Sequence, residues 1–274
     1  MKRPPPLETP RIDPDAGPRA AFVLDASHRS TAGHSHSHRR AQLVHAAEGV
    51  LIVTTPQGRW VVPPQRAVWV PARTVHSVAS RRAFRLLTLY VEPDAAPLPA
   101  ACRVVAVDAL VAELLAAAAA FGADYPAGSA EDRLVRVILD RLPALAVAPL
   151  LHLPEPRSAQ LERIASALTK NPADGRTLDA WAASVGMTTR TAARRFVAET
   201  NMTFGRWRQQ LRLLAALERL GAGESVTSVA FEVGYEDVSS FISAFKAAMG
   251  ETPARYFTRR PKRNDVVVEC RYGA

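Results

Sequence analysis

Short apolar runs separated by turn residues fill the chain from about residue 22 to residue 107. The clearest runs lie at residues 50–53, 60–62, 67–70 and 85–90, and a Pro-Gln-Gly turn at 56–58 joins the first two as a hairpin. Many short strands at this spacing are typical of a small antiparallel barrel or sandwich. We therefore predict an antiparallel β-domain at residues 21–107, either a small barrel or a sandwich.

Helical spacing of apolar residues replaces this pattern after Asp108. Asp108 is a suitable N-cap for a helix over 109–121, and Ser129 is suitable for a helix that Pro143 ends. Three prolines then mark 146–157 as a linker, and helical periodicity returns from Ser158 to about residue 258. The sequence therefore predicts a two-domain α+β chain with a β-domain, a helical bridge at 108–145, a linker, and an all-α domain at 158–258.

The two ends of the chain lack such periodicity. Residues 1–20 hold six prolines among charged residues, and residues 259–274 form a basic stretch. We expect a disordered N-terminal tail and a basic C-terminal tail.

The all-α domain contains the same local pattern twice. Thr177 is a suitable N-cap for a short amphipathic helix, Gly186 permits a tight turn, and Thr188 is suitable as the cap of a second helix. About fifty residues later an apolar stripe, Gly234 and another amphipathic helix repeat this order. Short helix, glycine turn and second helix are typical of a helix-turn-helix motif, which we predict at about 177–199 and again at 225–248.

One long helix is predicted between the two motifs. Thr203 is suitable as its N-cap, and apolar residues at helical spacing continue to about Leu220. We expect Arg206, Arg208, Arg212 and Arg219 to face outward from it. A helix of this length sets the distance between the motifs, so we expect them to act together on one face of a duplex.

The charge of the chain agrees with a polyanionic partner. Its formal net charge is +9 and its pI is about 10.2, but basic residues are spread over the whole chain. The cysteines, Cys102 and Cys270, match no ligand spacing and are expected to be free thiols in a reducing compartment. No apolar segment suits a signal peptide or a membrane span, so we expect a cytoplasmic protein without a membrane partner.

Residues 158–258 resemble the AraC/XylS family of transcription regulators. The resemblance rests on the run 234–241, Gly-Tyr-Glu-Asp-Val-Ser-Ser-Phe, on 245–246, 250 and 252–253 after it, and on 196, 199–200, 203–204 and 212–213 before it. It implies two recognition helices that enter successive major-groove segments. Carried over by position, the residues that face bases are Arg190, Ala193 and Arg194 in the first helix and Val238, Ser239, Ile242 and Ser243 in the second.

A histidine cluster in the β-domain suggests a binding site. His34, His36 and His38 alternate, so in a strand they share one face. Together with Gln42 and His76, they resemble the two motifs of the cupin barrel, which implies that the β-domain is a small cupin-like barrel. By position, the candidate metal or effector set is His36, His38, Gln42 and His76. Gln42 replaces the glutamate of that family, which removes a negative charge and leaves open whether the site holds a divalent transition metal or an organic effector.

These observations together predict a sequence-specific DNA-binding transcription regulator, an activator or a repressor, controlled by a small-molecule or metal effector in the N-terminal domain. We expect no catalytic residues. Double-stranded promoter DNA is the expected partner, RNA polymerase is a further candidate, and segment 108–145 is a candidate homodimer interface. One alternative is a cupin metalloenzyme fused to a DNA-binding domain. Another is a non-specific nucleic-acid binder, whose affinity would depend on salt but hardly on sequence.

Overall fold

The computed structural model describes residues 13–28, 33–148 and 151–258. Within these residues the chain forms two compact units. The N-terminal unit holds the described residues up to Thr55 and those from Val62 to 148, and the C-terminal unit holds Pro56–Val61 and the residues from 151 onward. The expected C-terminal tail at 259–274, with Cys270, and residues 1–12 of the expected N-terminal tail lie outside the described residues.

The N-terminal unit is built on antiparallel strands. Its strands are β1 (Ala21–His28), β2 (Ala41–Glu48), β3 (Leu51–Thr55), β5 (Arg66–Val70), β6 (Ser77–Ala79), β7 (Phe84–Val91) and β8 (Arg103–Ala106), and β4 (Gly58–Val62) follows β3 in the chain. Five of them form one sheet in the order β1-β7-β2-β5-β8, and β3 pairs with β6. Gln42 on β2 lies between Val70 and Tyr90 of the neighbouring strands.

The sheet of five strands is open, so the expected closed barrel is not formed by the strands that the structure describes. Its order begins at β1 and ends at β8. Helices α1 (Ala109–Phe121) and α2 (Ala130–Arg141) share a core with this sheet, and Val111, Leu115 and Ala118 of α1 are fully buried in it. An apolar sheet face that helices cover is shielded from water without closure of the sheet.

The two helices of the predicted bridge begin at the expected caps. The Asp108 side chain accepts a hydrogen bond from the backbone N–H of Val111 at 2.8 Å, and the Ser129 hydroxyl accepts one from Asp132 at 3.2 Å. These bonds satisfy donors that the first turn of a helix leaves without partners.

Residues 13–20 are ordered by two arginines, although disorder was expected for them. Pro14–Ala16 form a 3₁₀ turn, and the Asp15 carboxylate accepts hydrogen bonds from the backbone N–H groups of Arg39 and Arg40. The buried Arg40 guanidinium donates to the Gly17 carbonyl at 2.8 Å and pairs with Glu92 at 2.9 Å. Charge-assisted hydrogen bonds of this kind offset the loss of chain entropy in a segment of low hydrophobicity, where burial of apolar side chains alone would not offset it.

The C-terminal unit is mainly helical. Its helices are α3 (Ala159–Lys170), α4 (Leu178–Ser184), α5 (Thr189–Thr200), α6 (Phe204–Gly221), α7 (Val226–Glu232), α8 (Val238–Met249) and α9 (Pro253–Thr258). Trp207, Leu211, Leu214 and Leu217 of α6 are buried as the periodicity predicts. The interval 146–157, expected to be a linker, contains a strand, β9 (His152–Pro154), which pairs with β4. A proline is compatible with the end of a short edge strand.

The two helix-turn-helix motifs turn in the same way. After α4, the backbone N–H of Gly186 bonds to Ala183 and that of Met187 to Ala182. After α7, Gly234 bonds to Phe231 and Tyr235 to Ala230 in the same pattern. Both glycines have positive φ, +70° and +90°, which a residue with a Cβ adopts only at a cost. The repeat seen in the sequence is therefore a repeat of backbone geometry.

Arg212 of α6 does not face outward as expected. It is partly buried, its Nε donates to the Pro172 carbonyl at 3.0 Å, and its Nη1 donates to the Gly234 carbonyl at 2.9 Å. The segment that follows α3 and the turn of the second motif are thereby both bonded to α6. Arg219 remains partly exposed, and it pairs with Glu224 at 3.0 Å and with Glu232.

No helix among the described ranges combines the length and the hydropathy that a bilayer span requires.

We expect Gly234→Ala to destabilise the C-terminal unit by about 2–4 kcal/mol, from left-handed strain plus overpacking. A Cβ at this position would lie 2.9 Å from the Cα of Ala173, a backbone atom that cannot move aside cheaply. The control is Gly186→Ala at the equivalent turn, where a Cβ would meet nothing within 4 Å, so that only about 1–2 kcal/mol of strain is expected. Urea unfolding measures the stability of both variants. Equal losses of stability would show that the contact with Ala173 does not contribute.

Candidate functional site

The outer face of α5 is set by the residues on its inner face. Ala192, Phe196 and Thr200 are buried at a spacing of four residues, which turns the opposite side of the helix to solvent. Arg190 and Arg194 are exposed there, one helical turn apart, and Ala193 between them is partly exposed. Two long cations and a small residue therefore share one accessible surface.

The second recognition helix, α8, is arranged in the same way but has a different chemistry. Phe241 and Phe245 are buried, and the Asp237 carboxylate caps the first turn by accepting from the backbone N–H of Ser240 at 2.8 Å. Ser239 and Ser243 are exposed, whereas Val238 and Ile242 are partly covered. This face offers hydroxyl groups and methyl groups instead of guanidinium groups.

The seven residues predicted to face bases thus lie on solvent-accessible parts of α5 and α8, and four of them have polar side chains. Val197 on α5 and Lys246 on α8 are exposed as well. The helical periodicity predicts the accessible face of each helix, but it does not indicate which members of that face touch a ligand.

The histidine cluster is assembled by an isolated β-bridge. His36 and His76 exchange two backbone hydrogen bonds of 2.9 Å, which puts their side chains next to one another with ring centroids 4.3 Å apart. His38 lies two residues on, 5.2 Å from the ring of His76. His36 and His38 precede β2, which begins at Ala41, so an isolated bridge and not a continuous strand holds His36 beside His76. His34 is exposed and does not join the other three.

Each imidazole of the cluster donates a hydrogen bond to a backbone carbonyl two residues away. The Nδ1 atoms of His36, His38 and His76 bond to the carbonyl oxygens of His34, Arg40 and Thr74 at 3.0, 2.6 and 2.8 Å, respectively. Since a carbonyl only accepts, each Nδ1 carries the proton and each Nε2 of a neutral ring carries a lone pair. The three bonds therefore select one tautomer.

Burial favours the neutral form of His38 and of His76. His38 is 8% exposed and His76 is 1% exposed. Burial lowers the pKa of His76 to about 4, and the neighbouring His36 and His38 lower it further. Burial also lowers the pKa of His38. Neutral imidazole is the form that binds a transition metal or accepts a hydrogen bond from an organic ligand.

Gln42 lies in the cluster, as predicted. Its side-chain amide donates to Nε2 of His76 at 2.5 Å. Hydrogen bonding with the Gln42 side chain also raises the pKa of His38, against the larger effect of burial. The four residues of the predicted set are therefore brought together. Sequence reasoning missed the carbonyl groups that orient the rings, because every residue has a carbonyl and its direction has no signal in the sequence.

Known protein families match both units. A profile described as an AraC-like ligand binding domain matches residues 22–134, and one described as a helix-turn-helix domain matches residues 181–259. The HTH-type transcriptional regulator NimR of Escherichia coli is 34% identical over 239 residues, which cover 87% of each chain. The HTH-type transcriptional regulator RipA of Corynebacterium glutamicum is 34% identical over 46% of this chain and 35% of RipA. The transcriptional activator NphR of a Rhodococcus species is 35% identical over 47% of this chain and 38% of NphR.

Proposed function

The chain belongs to the AraC/XylS family of transcription regulators, and from this premise we propose that it binds a two-part operator through α5 and α8 under the control of an effector held by the N-terminal unit. The observation that carries the proposal is the pair of matching helix-turn-helix motifs on either side of α6, each with an accessible recognition helix. As a regulator of promoters it would act in the cytoplasm as a DNA-binding protein, not as an enzyme.

The two recognition helices are proposed to read DNA by different means. Arg190 and Arg194 are exposed, and an arginine fork bonds O6 and N7 of guanine together. Ser239, Ser243 and the partly covered Ile242 suit phosphate contacts, thymine methyl groups and groove shape. Sequence discrimination would then be greater at the half-site under α5.

The N-terminal unit is proposed to hold the effector at the histidine cluster, where neutral, oriented rings lie beside the Gln42 amide. Binding there would change the affinity for the operator only if the effector binds two states of the chain with different affinities. RNA polymerase is a further proposed partner, as for any regulator that activates a promoter.

Selection of bound fragments from a pool of random duplexes tests the operator. The full chain at near-physiological salt should enrich a motif whose two parts lie about 10 base pairs apart, the repeat of one helical turn. Ser239→Glu, which places a carboxylate on the exposed face of α8, should remove the part read by α8 and keep the other. Salt-sensitive binding without any enriched motif would instead support the non-specific binder.

Arg194→Ala should lower the affinity for the selected operator by about 1–3 kcal/mol and relax base preference at one position. The matched control is Arg195→Ala, which removes the same charge from the same helix. The Arg195 guanidinium bonds to the Gln160 side chain at 3.3 Å, so it points toward α3. Both variants are titrated against the operator and against operators with single-base changes. An equal loss of affinity on all of these sequences would show that Arg194 contacts a phosphate and not a base.

The helical bridge is proposed to form a homodimer. The outer side of α1 holds Leu110, which is 52% exposed, and several exposed alanines, while Val137 on α2 is 45% exposed. Alanines let a second helix approach closely. We expect light scattering at micromolar concentration to give the mass of a dimer, and we expect the Leu110→Glu variant to give the mass of a monomer. The control is Val147→Glu, which changes a half-exposed valine outside the two helices and should leave the dimer intact. A monomer mass for the unsubstituted chain would refute this interface.

A further inference from the structure

Val197 is an exposed apolar side chain on the first recognition helix, α5. It is 45% exposed, although most large apolar residues of the C-terminal unit are buried. A single exposed valine needs no explanation on an ordinary protein surface. Valine is a weaker helix former than the long polar residues that suit an exposed helical position, however, and in the free chain much of this side chain gains nothing from burial. Its location on α5 is therefore informative.

Val197 lies on the face of α5 that carries the predicted base-facing residues. It follows Arg190 by seven residues, nearly two full turns, so the two side chains project within about 20° of each other around the helix axis. Ala193 and Arg194 precede Val197 by four and three residues, the spacings at which side chains are neighbours on a helix. A molecule that contacts both arginines therefore also meets the methyl groups of Val197.

The second recognition helix has a different residue at the equivalent position. Val197 directly follows the buried Phe196, and Lys246 directly follows the buried Phe245 in α8. Both Val197 and Lys246 are exposed. A lysine can donate to a phosphate or to a base, whereas a valine side chain neither donates nor accepts a hydrogen bond. The contact that suits this position of α5 is therefore apolar.

The chemistry of the major groove narrows the choice of apolar contact. The base pairs present hydrogen-bond donors and acceptors there, and thymine adds its C5-methyl group. We propose that Val197 contacts the C5-methyl group of a thymine and thereby determines specificity in the half-site under α5. This inference rests on the proposed binding of an operator through α5 and α8. Valine has one strongly preferred χ1 rotamer in a helix, so its methyl groups have a fixed direction before DNA binds.

The geometry of the helix also predicts where this thymine lies. An α-helix rises about 1.5 Å per residue, so Val197 lies about 4.5 Å farther along the axis of α5 than Arg194 does. This distance is little more than the spacing of about 3.4 Å between successive base pairs. We therefore expect the thymine about one or two base pairs from the pair that Arg194 reads.

Replacement of thymine by uracil tests the contact, because uracil keeps the hydrogen-bonding groups of thymine and lacks the C5-methyl group. The half-site under α5 is the part of the selected operator whose base preference Arg194→Ala relaxes. Each thymine in it, on either strand, is replaced singly, and the full chain is titrated at one salt concentration. We expect one replacement to lower the affinity by about three- to fourfold, the ratio that corresponds to one buried methyl group.

Val197→Ala should bind the thymine operator and the uracil operator equally, because the side chain that makes the contact has been removed. The matched control is Lys246→Ala at the equivalent position of α8, which should keep the preference for thymine whatever its effect on the overall affinity. Each variant is compared with itself on two duplexes, so a partial loss of folded protein cancels from the ratio.

Three results would overturn the proposal: Val197→Ala keeps the preference for thymine, Lys246→Ala abolishes it as well, or the half-site holds no thymine whose replacement lowers the affinity. Any of them, obtained on an enriched operator, removes this contact and leaves the proposed function intact. Failure to enrich any operator would instead overturn the proposed function and this inference with it.

Discussion

Arg212 lies on the helix between the two DNA-binding motifs, and its guanidinium donates hydrogen bonds to the carbonyl groups of Pro172 and Gly234. The turn at Gly234 sets where α8 begins, and the segment at Pro172 leads from α3 to the first motif. A planar group with several donors in fixed directions bonds both at once, which a lysine at this position would not do. The relation of each recognition helix to α6 depends on these bonds and on the buried face of α6 around Trp207.

The N-terminal unit uses a different principle, in which backbone carbonyls orient side chains. His36 and His38 and the two arginines that hold residues 13–20 lie within one segment of five residues. The Arg40 carbonyl accepts from His38, while the Arg40 side chain holds Gly17 and Glu92. The histidine cluster and the order of residues 13–20 therefore depend on the same short backbone segment.

Local signals in the sequence predicted much of the fold and one half of the candidate site. Asp108, Ser129, Thr177 and Thr188 cap helices where they were expected to, because an N-cap bonds to a backbone N–H only three residues away. Helical periodicity also predicted which side of α5 and of α8 is accessible, since each helix buries the side that carries its large apolar residues. Cupin-like spacing placed Gln42 and three histidines in one set, and the structure brings these four residues together.

The sequence by itself determined the helices, their caps, the two glycine turns and the class of DNA-binding protein, because these depend on residues a few positions apart. Only the tertiary structure decided that the five-stranded sheet stays open, that Arg212 points inward, and that one ring nitrogen from each of His36, His38 and His76 lies within 4.8 Å of the other two. The physical reason is that each of these features joins parts of the chain that are distant in sequence. The strand order pairs β1 with β7, an isolated β-bridge sets His36 beside His76, and the two acceptors of Arg212 lie 40 and 22 residues away.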